Sequence, residues 1–257
     1  MISHTQLEIR VRYSAPVAGC QRTMRVLPLR RAGQTIVSER WSAFPDAASS
    51  HESADDDGNR ILTLRHAAIE SEFRFALETE VATSDAPVED NAPDFVSAKM
   101  PSRAVVFAPE LQKIAREARE MPPLERAAHF NRVCFLSLEY DATTDTSPPQ
   151  SDAVWARKGG NCADFAHVLL SLCRCGGLAA RYVAGFNAAQ GQMHAWAEIW
   201  VEGYWHAFDP TLGRAASPGS VAVAVGRDFF SCAPHGGSYR GAAHAQISLH
   251  CATVTRK

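Results

Sequence analysis

The sequence predicts an α+β protein: a β-sandwich-like domain first, then a core in which a cysteine-bearing helix packs on an antiparallel sheet. Three observations carry this. Residues 1–90 hold runs of alternating apolar and polar residues, the period of half-buried strands. From Pro109 the apolar spacing becomes helical, as in PELQKIARE. Beyond the helices, Met193–Val201 (MHAWAEIWV) alternates cleanly again.

The chain has 257 residues, 46% hydrophobic and 21% charged, room for one large or two modest domains. A net charge of −2 gives no global field toward nucleic acid or an anionic membrane, and neither is expected as a partner. Seven irregularly spaced cysteines do not read as a disulfide framework. The polar opening Met1–Gln6 lacks a secretory signature, and no apolar run reaches the ~18 residues of a membrane span. Reduced thiols in a cytoplasm are the expectation.

In the first domain, placed at 1–90, Leu7–Tyr13 alternates and Ser14-Ala15-Pro16 breaks it. Met24–Leu29, Thr35–Ser38, Ile61–Leu64 and Ile69–Val81 read as further strands. Ser49–Asn59 reads as a loop, and its acidic triplet as a solvated turn without calcium-ligand spacing. The proline-rich, acidic stretch 84–101 is the linker, and the core runs over 100–257. Helices are expected over Pro109–Glu120 and Leu124–Leu138, with a Thr/Ser/Pro/Asp loop at 141–152.

The core centres on Gly159-Gly160-Asn161-Cys162-Ala163-Asp164. The glycine pair delivers Cys162 to the first turn of a helix whose apolar face is Phe165, Val168, Leu169 and Leu172, and Gly176-Gly177 ends it. A helix N-terminus favours thiolate, the reactive form of cysteine. Ala180–Phe186 is a short strand. In Met193–Val201, His194, Trp196, Glu198 and Trp200 share one face. If Glu202-Gly203 is the hairpin turn, Val201 faces Tyr204 and Trp196 faces Asp209; a four-residue turn keeps this register, and a three-residue turn flips one strand. His194 is then a diagonal neighbour of Asp209, about 7–8 Å away by backbone, which side chains can span. The carboxylate can fix one ring nitrogen while the other takes a proton from a thiol. Val221–Val225, 238–240 and 246–254 are further strands.

The segments GGNCADFAHVLLSLCRCGGLAARYVAGF, HAWAEIW and WHAFDPT resemble the transglutaminase-like, papain-like cysteine superfamily. The resemblance is closest to its bacterial branch with an N-terminal β-rich domain. Tyr13-Ser14-Ala15-Pro16-Val17, Asp57-Gly58-Asn59 and Val225-Gly226-Arg227-Asp228-Phe229 extend it over nearly the whole chain. The resemblance implies a papain-like core with Cys162 as nucleophile, His194 as base and Asp209 as orienting acid. Many relatives carry glutamine where this chain has Ala163, and Asp164 reads as packing or capping the helix start. The oxyanion hole is expected to use the Cys162 N–H and a second donor, from Trp155 or the loop before the cysteine. Trp155, Trp196 and Arg227 are candidate substrate-binding residues. Cys173 and Cys175 read as packing thiols, and His167 as a satisfied or solvent-facing histidine. No phosphate loop, metal cluster or cofactor motif is present.

The activity implied is thiol-dependent acyl chemistry on a peptide, protein or small amide or thioester, through a thioester acyl-enzyme. Hydrolysis comes first, because it needs no second binding site. Transfer to an amine, as in a transglutaminase or amide-forming acyltransferase, is the alternative. A non-catalytic scaffold on the same fold, and a thiol redox or metal protein, are the readings from other classes.

Overall fold

The computed structural model describes residues 1–84, 86–89, 93–142, 148–187 and 192–256. Six strands come first: β1 (Ile2–Tyr13), β2 (Val17–Met24), β3 (Gln34–Phe44), β4 (Ser49–Ala54), β5 (Arg60–Ile69) and β6 (Glu72–Thr83). Then follow α1 (Pro109–Glu117), α2 (Pro123–Ser137), β7 (Glu139–Tyr140), α3 (Ser151–Arg157), β8 (Gly159–Gly160) and α4 (Cys162–Cys175). The chain continues through β9 (Ala180–Asn187), β10 (Gln192–Val201), β11 (Tyr204–Asp209), β12 (Arg214–Ala215) and β13 (Val221–Gly226). It finishes with α5 (Phe229–Cys232), β14 (His235–Arg240) and β15 (Ala245–Arg256).

Two four-stranded antiparallel sheets, ordered β15-β1-β6-β3 and β14-β2-β5-β4, make the N-terminal sandwich. Alternation builds it: Leu7, Ile9 and Val11 on β1, Leu62 and Leu64 on β5, and Phe73, Phe75 and Leu77 on β6 all turn into one buried core. Sequence periodicity found the second half of β1, part of β5 and most of β6, but ran the strand from Ile69 through the turn between β5 and β6. It missed β4, because every residue of that edge strand is exposed and no alternation marks it. It also put a strand over Met24–Leu29, where β2 has already ended at Met24.

The expected boundary of the core at 100–257 needs correction. β15 pairs along the full length of β1, from Ile2 opposite Arg256 to Tyr13 opposite Ala245, and β14 pairs with β2. The last two strands therefore complete the N-terminal sheets. Their alternation was visible, but a period says nothing about which edge a strand joins.

The core sheet is ordered β12-β11-β10-β9-β13. Its edge strand β13 is covered by the N-terminal half. The Gln34 amide accepts from Ala222 N (2.9 Å) and donates to Ala222 O (3.0 Å). The Asn59 amide makes the same paired contact with Val225 N and O, both at 2.7 Å. Two side-chain amides thus do for β13 what a neighbouring strand would.

α4 contacts α1, α2 and α3 as well as β9 and β10, and every residue from Asp164 to Arg174 is buried. A helix enclosed on all sides must partner its polar groups. Ser171 Oγ donates to Val106 O at 2.6 Å. Arg174 donates to the carbonyls of Ala180 and Arg227. His167 Nε2 accepts from Phe229 N at 3.1 Å, and burial pushes that imidazole down to about 4, so it is neutral. It is a core histidine bonded at Nε2 alone, its Nδ1 having no partner among the described residues, and not the solvent-facing alternative.

Candidate active site

Cys162 occupies the first position of α4, where its N–H has no intrahelical acceptor. The local sequence builds this turn. Asn161 caps the helix, its side-chain oxygen accepting from Ala163 N (3.0 Å) and Asp164 N (3.2 Å). Asp164 reaches back to Asn161 N (3.1 Å), which closes a reciprocal capping box, and also accepts from Arg157 Nη2 at 2.7 Å. Asp164 is therefore a structural cap, as its position suggested. Gly160 leaves room for it: a Cβ there would lie 2.4 Å from Asp164 Oδ2. Gly160→Ala is expected to displace Asp164, costing about 1–2 kcal/mol of stability as a lost cap does. It should also slow alkylation of Cys162, and a thermal melt with a labelling time course checks both.

The hairpin has the expected register. Val201 pairs with Tyr204 and Ala197 with Phe208, around a Glu202-Gly203 turn with φ of 51° and 91°. His194 Nε2 and Asp209 Oδ2 are consequently 2.8 Å apart, both side chains fully buried. Asp209 Oδ1 accepts from Thr211 N (3.0 Å) and Thr211 Oγ1 (2.6 Å), so the carboxylate is held on both oxygens. Thr211 was not singled out from the sequence, although Asp-Pro-Thr is a recognisable turn signal.

The Cys162 thiol lies beside the imidazole. Burial works against a charge on the ring, but the Asp209 hydrogen bond and the Cys162 thiol outweigh it and raise His194 to about 9. Burial likewise opposes charge on Asp209, and the His194 hydrogen bond outweighs it and holds the carboxyl below its ordinary value. His194 Nδ1 is buried and has no hydrogen-bond partner among the described residues. The arrangement thus offers a thiol, an imidazole with one ring nitrogen tied to a carboxylate, and a helix N-terminus.

The three candidate substrate-binding residues are placed differently. Trp155 is only 7% exposed; its indole N–H donates to Glu110 Oε2 at 2.8 Å, and Lys158 Nζ lies over its ring. That N–H is occupied and is not the second oxyanion donor. Trp196 is 2% exposed, packed with Leu29, Val183, Ala222 and Val225, and its ring stacks behind His194 with centroids 6.4 Å apart. It fits because Gly185, opposite His194, has no side chain to meet the indole. Arg227 donates to Pro101 O, which clasps the chain before α1 to the end of β13. Trp196 thus backs His194, and no described contact brings Trp155 or Arg227 to Cys162 or His194.

Sequence reading also left Glu198 without a role. It is completely buried and accepts from Arg31 (2.8 and 3.1 Å) and from Arg181 (2.8 and 2.9 Å). Among the described residues no group of three or more His, Cys, Asp or Glu is arranged to hold a metal, and no helix is long and apolar enough to cross a membrane.

This α+β architecture, a sandwich followed by a thiol-bearing helix on an antiparallel sheet, defines the class of the protein. The profile of the transglutaminase-like superfamily matches residues 112–210, and that of the bacterial transglutaminase-like N-terminal region matches residues 2–82. The chain belongs to the transglutaminase-like superfamily, in its bacterial arrangement with that N-terminal region. It is similar to an uncharacterised Mycobacterium leprae protein, 26% identical over 255 residues, covering 89% of this chain and 90% of that protein. An uncharacterised Mycobacterium tuberculosis protein is 30% identical over 108 residues, 36% of this chain and 34% of that protein. Among solved structures, a Cytophaga hutchinsonii protein provisionally assigned as a cysteine protease shares the fold, with a TM-score of 0.80, 24% identity, and coverage of 100% of this chain and 92% of that one.

Proposed function

We propose that the protein is a cysteine-dependent acyl-transfer enzyme that hydrolyses a peptide or amide bond. The observation that carries this is the buried His194–Asp209 contact of 2.8 Å, on an imidazole that also interacts with the Cys162 thiol. In this reading Cys162 attacks the carbonyl as a thiolate while His194 holds the thiol proton. His194 then gives that proton to the leaving amine, and a thioester to Cys162 remains. Water, deprotonated by His194, releases the acid. Asp209 keeps Nε2 protonated, so that Nδ1 does the proton transfers. The backbone N–H of Cys162 is one donor to the oxyanion. The seven free cysteines fit a reducing compartment, in keeping with a cytoplasmic location.

The test is intact-mass analysis after graded iodoacetamide treatment. Burial pushes the thiols of Cys20, Cys134, Cys173, Cys175, Cys232 and Cys251 up, the second, third and fifth of them deep in the core. Cys162 is therefore expected to take the first carbamidomethyl group at neutral pH, and His194→Ala to abolish that preference. With His194 at about 9, the imidazolium should also favour iodoacetate over iodoacetamide at neutral pH, and the preference should fade as the pH rises through about 9. Uniform labelling of all accessible thiols, unchanged in His194→Ala, would favour a scaffold.

A further inference from the structure

Attack on a carbonyl moves charge onto its oxygen, and an acyl-transfer site needs more than one donor there. Trp155 is already engaged with Glu110, so the second donor lies elsewhere. β7 runs parallel to β8, with Tyr140 opposite Gly160, two residues before Cys162. Hydrogen bonds on both sides fix that position: Glu139 N donates to Lys158 O (2.8 Å) and Asp141 N to Gly160 O (2.9 Å). The Tyr140 ring rests against Phe165, centroids 6.1 Å apart. Phe165 follows Cys162 by three residues, so both lie on one face of the first turns of α4. Tyr140 and Gly160 also line a depression of about 310 Å³ next to this turn. The tyrosine is 45% exposed, and its hydroxyl has no hydrogen-bond partner among the described residues.

We propose that the Tyr140 hydroxyl is the second oxyanion donor. This rests on Cys162 being the nucleophile. As the thiolate forms its bond to the carbonyl carbon, the C=O π pair moves to oxygen, which accepts from Cys162 N–H and Tyr140 O–H. Collapse restores the C=O bond and breaks the bond to the leaving group, which departs with the electron pair and receives the proton held by His194. Tyr140 gives up no proton in the cycle. Burial raises its pKa, and the negative charges of Cys162 and Asp209 add to the effect, so it stays a donor.

Two reactions of the same sulfur test the proposal. Iodoacetamide alkylates by displacing iodide from a saturated carbon, with no oxyanion. p-Nitrophenyl acetate acylates through one. Tyr140→Phe is expected to acylate about 10²-fold more slowly than wild type, with its alkylation rate within about twofold, the loss of a single oxyanion donor being read only in the first reaction. Unchanged acylation beside normal alkylation overturns the role of Tyr140 alone. An equal fall in both reactions also overturns it, because the residue would then be positioning the thiol. If wild-type Cys162 reacts preferentially with neither reagent, the nucleophile reading fails and Tyr140's role falls with it.

Discussion

Asp209→Asn is expected to slow acylation of Cys162 by p-nitrophenyl acetate about 10⁴-fold, the scale of losing the orienting carboxylate of a catalytic triad. The cause is the tautomer. Asp209 Oδ2 accepts the proton on His194 Nε2, which leaves Nδ1 able to take the thiol proton. An asparagine can keep its oxygen on Thr211, but it then turns an amide N–H toward His194, and the ring answers by moving its proton to Nδ1. A protonated, neutral Nδ1 cannot act as base toward Cys162. The variant also loses the charge that outweighs burial, so the imidazole pKa should fall from about 9. The iodoacetate preference should then be lost at a lower pH than in wild type. Acylation within tenfold of wild type would remove Asp209 from the mechanism.

Glu198→Ala is expected to cost about 3–5 kcal/mol of folding stability, because it strands two arginines around a buried site. Glu198 bridges Arg31, from the turn before β3, and Arg181, its direct neighbour across β9, through four short contacts. Urea unfolding would read the loss, and a change below 1 kcal/mol would mean that solvent reaches the arginines. The pair also has a pH signature. Burial opposes charge on Glu198, but Arg31 and Arg181 outweigh it and hold the carboxyl at about 2, against an ordinary 4.5. A depressed carboxyl stabilises the fold at pH values above about 4.5, and that contribution disappears as the pH falls through about 2. Wild type should therefore lose this increment on acidification, whereas Glu198→Ala has none to lose.

Local patterns in the sequence carried the site further than they carried the domain plan. A two-residue turn fixes the register of its hairpin, so the His194–Asp209 contact followed from Glu202-Gly203 and the alternation on each side. The cap at Asn161 and Asp164 lies within four residues and is equally local. Trp196 was harder. Its face of β10 was readable, but whether that face met solvent or Leu29 and Val225 depended on the N-terminal half, far away in the chain. Tyr140 depended on a two-residue parallel pairing, too short to leave any periodicity. β14 and β15 had legible strand patterns, yet their partners lie over 200 residues away, beyond the reach of any window of sequence.

That long-range pairing sets the order in which the chain can be completed during synthesis. When residues 2–83 have left the ribosome, β1 and β2 each still have an open edge, since the strands that close them are residues 245–256 and 235–240. The first half to be made is thus the last to be finished, and its unpaired edges must wait while the whole thiol-bearing core is translated. An N-terminal fragment ending before residue 235 should aggregate through those edges, and a fragment beginning at residue 100 would carry two strands with nothing to pair against. The same closure places Ile2 directly opposite Arg256.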